Sequence, residues 1–357
     1  METVWFCLLA FVAAMYGILD GYDLGVGMLY PFVGRTPEER EAIRRTILPV
    51  WDGNEVWLIA GGGILFFAFP TAYASGFAGF YLAFFVLLWL LIPRGLALEL
   101  REEVPHPLTR GFCDGVLVWA STLLGLLFGV ALGNVLRGVP LDAQGYFFVP
   151  FWTIMGLGPQ PGVFDWYTVL AGASTLALLA VHGGAFIAAR TVGPVRERAL
   201  NAAKYASIPA VALGTAWAVL SPLANPRLQR NYIEHPWAYA LPLAAGVAGL
   251  CMIVLAWRRH ERGTFVASSA VILLSVGSAA MALYPALLLS TTDRALDLTI
   301  YNTGASHYAL TTGIVWGSVG LALATGYSIF AHCRFRGRVQ APGDNQEAAG
   351  EGLKPLR

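Results

Sequence analysis

The segment LDGYDLGVGML, residues 19–29, lies inside an apolar run that extends from about 3 to 33. A run of this length can cross a bilayer as a helix, which needs about 20 mostly apolar residues. Eight further runs follow, at roughly 50–70, 74–100, 114–137, 165–190, 203–221, 236–257, 264–288 and 306–332. The sequence therefore predicts an all-α integral membrane protein with about nine transmembrane helices.

The composition supports a lipid environment. Of the 357 residues 57% are hydrophobic and 13% are charged, and the mean hydropathy is +0.60. Soluble domains have about 25% charged residues, so this chain has too few to cover a water-facing surface. The net charge of +1 favours no charged partner, and we expect no nucleic-acid binding. The four cysteines are scattered in or beside apolar runs, which is typical of packing residues and not of a zinc site.

The distribution of Lys and Arg predicts the orientation. The start METVWFCLLAFVAAMYG lacks the basic residue of a cleaved signal peptide, so we interpret it as a retained first helix. Loops after odd-numbered spans, with the tail, hold 19 of the 23 basic residues, including Arg94 at the end of the third span. This asymmetry predicts an outer N-terminus and a cytoplasmic C-terminus. Residues 1–334 form one transmembrane domain, and 335–357 form a cytoplasmic tail that should be disordered.

Glycines recur every fourth residue on two of the spans. Such stripes allow two helix backbones to approach closely in lipid. The alternative interpretation is a gap for the edge of a quinone or a haem. The positions are Gly17, Gly21 and Gly25 on the first span and Gly125, Gly129 and Gly133 on the fourth.

Four acidic residues lie where lipid would be expected. Asp20 and Asp23 are inside the first span, and Asp52 and Glu55 begin the second. Each pair has i, i+3 spacing and shares a helix face. At 1.5 Å per residue, Asp52, Glu55, Asp23 and Asp20 lie about 4, 9, 14 and 18 Å from the cytoplasmic helix ends. His182 lies about 12 Å from the cytoplasmic end of the fifth span.

Stepped acids and a histidine suggest a proton path, because each can hold and release a proton. Other readings remain open at this point. Asp52 and Glu55 can instead stabilise a helix N-terminus. Asp20 and Asp23 can instead form buried hydrogen bonds or pair with an arginine, and His182 can be a core histidine with its hydrogen bonds satisfied.

Haem ligation by this chain is not favoured. Of six histidines only His182 lies well inside a span, so no interior pair of histidines can hold a haem from both sides, and an axial methionine stays open. We expect any redox centre to be held mainly outside this chain. We assign it no metal site and no catalytic residue in the strict sense.

Several longer segments, spread from the first span to about residue 339, are similar to the sequence motifs of a known protein family. With them the chain resembles subunit II of the cytochrome bd quinol oxidases, including the cyanide-insensitive branch. The matching segments are LDGYDLGVGML (19–29), PVWDGNEVWL (49–58), GVALGNVLRGVP (129–140), GGAFIAARTVG (183–193) and LTIYNTGASHYAL (298–310).

The resemblance implies a heterodimer in the bacterial cytoplasmic (inner) membrane. Subunit I would hold two b-type haems and haem d, oxidise quinol near the outer face and reduce oxygen to water. Subunit II would fold as two four-helix bundles plus one peripheral helix and support a cytoplasmic proton path. Asp52 matches the residue most associated with that path, and Asp20 and Asp23 match the acids of the first-helix motif. A structural quinone and a small accessory subunit are further candidate components.

The chain departs from the family pattern at three places. Glu55 stands where some relatives have Gln, which puts an essential acid there in doubt. The segment LLSTTD (288–293) lacks a proline often found before its paired hydroxyls, and the last span lacks a proline that many relatives carry.

The sequence therefore predicts a quinol:oxygen oxidoreductase subunit in which Asp52, Asp23, Asp20, Glu55 and His182 line a proton path. The alternative is a proton-coupled secondary transporter, but nine spans divide badly into the two homologous halves that such proteins have. A third hypothesis is a scaffold whose acids only tie helices together.

Overall fold

Twelve α-helices dominate the chain in the computed structural model, which describes residues 1–103, 106–158, 160–335 and 337–340. They are α1 (Glu2–Val33), α2 (Pro37–Ile47), α3 (Trp51–Ala68), α4 (Pro70–Gly79), α5 (Tyr81–Glu103), α6 (Pro107–Arg137), α7 (Trp166–Arg190), α8 (Gly193–Ala224), α9 (Arg230–Glu234), α10 (Ala240–Trp257), α11 (Glu261–Leu283) and α12 (His307–Arg334). Two short strands, β1 (Ala286–Leu288) and β2 (Leu298–Thr299), pair antiparallel.

The predicted membrane class is confirmed. Within the described residues, eight helices are long and apolar enough to cross a membrane: α1, α5, α6, α7, α8, α10 with the turn before it, α11 and α12. The predicted span at 50–70 is also helical, as α3, but it is not among the eight. Its first turns carry Asp52, Asn54 and Glu55, which lower its hydropathy. The grouping into two four-helix bundles and one peripheral helix stays a prediction.

Prolines correct the boundaries of two predicted spans. The span predicted at 264–288 ends at Leu283, because Pro285 cannot continue the helical hydrogen bonds and the chain turns into β1. Helices α3 and α4 are separated at Phe69, the residue before Pro70, where a helical conformation is sterically disfavoured. The span predicted at 74–100 is therefore the end of α4 followed by α5.

The loop between α1 and α3 contains α2. Thr36 caps it, with Glu39 completing a capping box. On α2, Glu41 accepts hydrogen bonds from Arg44 at 2.9 Å and from Arg101 of α5 at 3.1 Å. Burial alone would raise the pKa of Glu41, but the hydrogen bonds outweigh it and the pKa is lowered. The ionised Glu41 therefore ties the chain just before α3 to the end of α5.

Glycines bring α1 and α7 into close contact. A side-chain carbon at Gly25 would overlap the backbone of Leu179 and Gly183, and one at Gly183 would overlap the backbone of Gly25. Gly129 of α6 is equally crowded by the backbone of Gly172 in α7. The prediction of tight helix packing is confirmed at Gly25 and Gly129.

The start of the predicted tail contacts α7. Val339 forms an isolated bridge with Thr191, and Arg190 donates a hydrogen bond to the Phe335 carbonyl. Residue 336 and residues 341–357 lie outside the described residues, and so does most of the segment predicted to be disordered.

We expect Gly25→Ala to destabilise the protein by about 1–3 kcal/mol, because the backbones of α1 and α7 must separate to admit a methyl group. Gly214→Ala is the matched control, since nothing lies within 4 Å of an added carbon at Gly214. Thermal unfolding of the detergent-solubilised protein measures both. Equal melting temperatures for the two variants would contradict the assigned contact.

Candidate functional site

A buried arginine joins two of the predicted acids. Arg94 of α5 donates from Nη2 to Oδ1 of Asp20 at 3.0 Å and from Nη1 to Oε1 of Glu55 at 2.8 Å. The side chains of Arg94 and Asp20 are 0% exposed, and that of Glu55 is 22% exposed. Asp20 on α1 and Glu55 on α3 therefore meet through one guanidinium.

This pairing corrects the sequence assignment of Arg94. We counted it among the cytoplasmic basic residues at the end of a span, but α5 continues to Glu103. Arg94 thus lies about 14 Å inside the helix end at 1.5 Å per residue. A buried guanidinium needs a carboxylate partner, which Asp20 supplies.

Asp23 has a different partner. The amide nitrogen of Asn54 donates to Oδ2 of Asp23 at 2.7 Å and to the hydroxyl oxygen of Tyr22 at 2.6 Å. Asp23 is 0% and Asn54 1% exposed. The second turn of α1 beyond its midpoint is thereby connected to the first turn of α3.

The exposure of the acids falls along the predicted order. Asp52 is exposed on the first turn of α3, Glu55 one turn later is partly exposed, and Asp20 is fully buried. The path roles of Asp52, Glu55, Asp20 and Asp23 stay predictions.

Several polar atoms in this cluster keep unused hydrogen-bonding capacity. Within the described residues, Oδ2 of Asp20, Oδ1 of Asp23 and the hydroxyl of Tyr16 are buried without a hydrogen-bond partner. Buried polar atoms are normally paired, so such groups mark places where a proton or a water molecule can bind. Asp20 and Glu55 also share the single positive charge of Arg94.

His182 lies apart from these acids in a different set of contacts. It is 0% exposed, its Nδ1 lies 2.7 Å from the Ser268 hydroxyl, and its Nε2 donates to the Ile18 carbonyl at 2.9 Å. Its ring stacks on Phe265. Both ring nitrogens are engaged, so His182 does not fit an axial haem ligand, and its contacts are those of a core histidine. Its place in a proton path stays a prediction.

No metal cluster is found in the part of the chain that the structure describes, where no three His, Cys, Asp or Glu side chains converge as ligands. The sequence interpretation missed Arg94, Asn54 and Tyr22. Arg94 did carry a signal: it interrupts the apolar run YLAFFVLLWLLIPRGLALEL, and a cation inside a span normally has an acidic partner. Asn54 and Tyr22 are too common in such helices to be singled out without coordinates.

Comparisons with known proteins agree with this architecture. The family model for cytochrome bd terminal oxidase subunit II matches residues 1–335. Cytochrome bd ubiquinol oxidase subunit 2 of Bacillus subtilis (strain 168) is 31% identical over 345 residues, covering 95% of this chain and 97% of the relative. Cytochrome bd-I ubiquinol oxidase subunit 2 of Escherichia coli (strain K12) is 28% identical over 366 residues, covering 95% of each.

A solved structure has the same fold. A chain of the bd oxidase from Geobacillus thermodenitrificans superposes with a TM-score of 0.71 at 16% sequence identity, covering 93% of this chain and 98% of that one.

We expect Arg94→Met to destabilise the protein by about 3–5 kcal/mol, because it leaves buried Asp20 without its counter-charge. Adding Asp20→Asn should restore part of this loss, since no unpaired charge then remains. Denaturant unfolding in detergent measures the effect. Arg45→Gln is the control, because the Arg45 side chain also forms an ion pair but is 52% exposed. We expect its free energy of unfolding to change by no more than about 0.5 kcal/mol. Similar losses for Arg94→Met and the control would contradict the pairing.

Proposed function

Because the chain belongs to the cytochrome bd terminal oxidase subunit II family, we propose that it carries protons from the cytoplasm toward the oxygen-reduction site of a quinol oxidase. Its homologues are subunits of a terminal quinol oxidase, and the family is part of a haem-containing bd oxidase complex. The family and the eight apolar helices together identify a multi-pass protein of the bacterial inner membrane.

The observation that carries the proposal is the cluster around Arg94. Asp52 receives protons at the exposed start of α3, and Glu55 accepts them one turn further along. Asp20 and Asp23 are the buried acceptors, each with one carboxyl oxygen free of protein hydrogen bonds. Arg94 compensates one negative charge, so the three inner carboxyl groups share the exchangeable proton.

The redox chemistry belongs to the partner in this proposal. Two b-type haems and haem d in subunit I supply the electrons and bind oxygen, while this chain holds and moves protons. Both ring nitrogens of His182 are hydrogen-bonded and so are not free to bind a haem iron, which supports placing the haems outside this chain. Quinol is the substrate of the complex, and a structural quinone or a small accessory subunit would add to the same heterodimer.

The orientation decides what such a path accomplishes. With an outer N-terminus and a cytoplasmic C-terminus, Asp52 faces the cytoplasm. Reduction of one O2 to two waters takes up four protons and four electrons. If those protons come from the cytoplasm and quinol releases its protons outside, charge is separated across the membrane without a pump.

Two other hypotheses make different predictions. The family assignment favours an oxidase subunit over the proton-coupled secondary transporter. A scaffold is supported by the Asp20–Arg94 pair and the Asn54–Asp23 hydrogen bond, since both tie helices together. Exposed Asp52 separates the path from the scaffold, because a scaffold does not need its charge.

We expect Asp52→Asn to lower quinol oxidase turnover of the purified complex at least severalfold while haem content stays unchanged, because the amide cannot accept a proton. Glu38→Gln is the control: it removes an exposed acid from the same predicted cytoplasmic side and should leave turnover unaltered. Oxygen consumption with saturating quinol measures both variants. Turnover of Asp52→Asn equal to that of the control would refute the path.

We also expect the affinity-purified chain to bring down a partner with the absorption bands of b- and d-type haems. Subunits separated under non-denaturing conditions should show those bands with the partner alone. An active preparation without haem would instead support the transporter.

A further inference from the structure

A chain of hydrogen bonds connects the last turn of α12 to Asp23. Nε2 of His332 lies 2.8 Å from the hydroxyl oxygen of Tyr22. That oxygen lies 2.6 Å from the Asn54 amide nitrogen, which is 2.7 Å from Oδ2 of Asp23. His332 comes from a helix that was not expected to take part in the site, and it is half-buried.

The chemistry of each group sets the direction of these bonds. Nδ1 of His332 lies 2.7 Å from the Ser328 carbonyl oxygen, which can only accept, so Nδ1 carries the hydrogen. In the neutral ring Nε2 is then an acceptor, and the Tyr22 hydroxyl donates to it. The hydroxyl oxygen accepts one Asn54 hydrogen and Oδ2 of Asp23 accepts the other, while the Leu19 carbonyl oxygen is a longer third contact of the same nitrogen at 3.3 Å. Neutral His332 therefore completes a chain in which every donor has an acceptor.

Protonation of His332 breaks this order. Both ring nitrogens then carry hydrogen, so Nε2 can no longer accept from Tyr22. The Tyr22 hydrogen must turn away, while its oxygen faces hydrogens from both His332 and Asn54. The Tyr22 oxygen is then shared with a charged donor and no longer gains from donating, so the hydrogen bond that Asn54 gives to it is weakened, and with it one of the bonds that position the amide at Asp23.

We propose that His332 is a positioning residue that makes proton transfer through Asp23 pH-dependent: its neutral form holds Tyr22 and Asn54 in the arrangement that presents the amide to Asp23, and its protonated form weakens that arrangement. The proposal rests on the proton path described above and adds a residue to it.

The surroundings of His332 allow such a switch. On α1, the Tyr22 ring is held by stacking on Phe186, with ring centroids 4.0 Å apart, so its hydroxyl has a fixed place. On α7, the positively charged guanidinium of Arg190 lies over the Phe186 ring at 5.3 Å and opposes a second positive charge on His332. On α3, Asn54 faces it through Tyr22. The partial exposure of His332 lets protons from solvent reach the ring.

The test compares two replacements of His332 in the intact complex. His332→Phe removes the acceptor, so turnover should fall about fivefold at high pH, the factor that one hydrogen bond of ordinary net strength represents. At low pH the wild type has itself lost the acceptor, and the ratio of the two rates should approach one. His332→Gln keeps a neutral acceptor, so it should retain turnover at high pH and exceed the wild type at low pH.

Turnover is measured between about pH 4.5 and 8.5, a range that extends well below the ordinary titration of histidine. Haem content and subunit yield are measured alongside, with Cys333→Ala, an exposed neighbour, as the control that should match the wild type. A His332→Phe loss that is the same at every pH, or no loss at all, would overturn the proposal.

The two proposals fail separately. Unaltered turnover in both Asp52→Asn and Asp23→Asn would remove the proton path itself. Slow turnover in those variants with a normal pH profile in His332→Phe would remove only the role of His332.

Discussion

The ion pair between Arg94 and Asp20 is the interaction on which the site depends. Both side chains are fully buried in a chain that crosses a membrane, where an uncompensated charge is strongly unfavourable. The pair therefore fixes α5 against α1, and the second Arg94 hydrogen bond adds Glu55 of α3. Three helices are held at one point, and one carboxyl oxygen each of Asp20 and Asp23 is left without a hydrogen-bond partner among the described residues.

Close packing brings those helices into place. Gly25 of α1 lies directly against Gly183 of α7, so no side chain separates the two backbones. At the cytoplasmic end predicted for the chain, Glu41 and Arg101 join α2 to α5. These contacts are steric and ionic, respectively, and both orient α1 and α3 so that Asp23 and Asn54 meet.

The hydrogen bonds around Asp23 add direction to this framework. An amide and a phenol cannot choose their donors and acceptors independently when they are buried together. In this chain the choice is made by His332, because its Nδ1 is committed to the Ser328 carbonyl. A helix at the periphery of the described contacts can thus influence an acid of the predicted path.

Local sequence patterns determined the structural class of the protein. Hydropathy and helical spacing are local properties, so they can be read from short stretches of sequence. The long apolar runs and the few charges predicted a helical membrane protein, and the two motifs with acids at i, i+3 placed acidic residues inside it. The same local view identified Asp20, Asp23, Asp52 and Glu55 as unusual. It misplaced Arg94, and it extended one span to 288, where Pro285 ends the helix. Only the tertiary structure decided the partners. Asp20 and Arg94 are 74 residues apart, and Tyr22 and His332 are 310 apart. Such contacts depend on how whole helices are arranged in space, which no short stretch of sequence specifies.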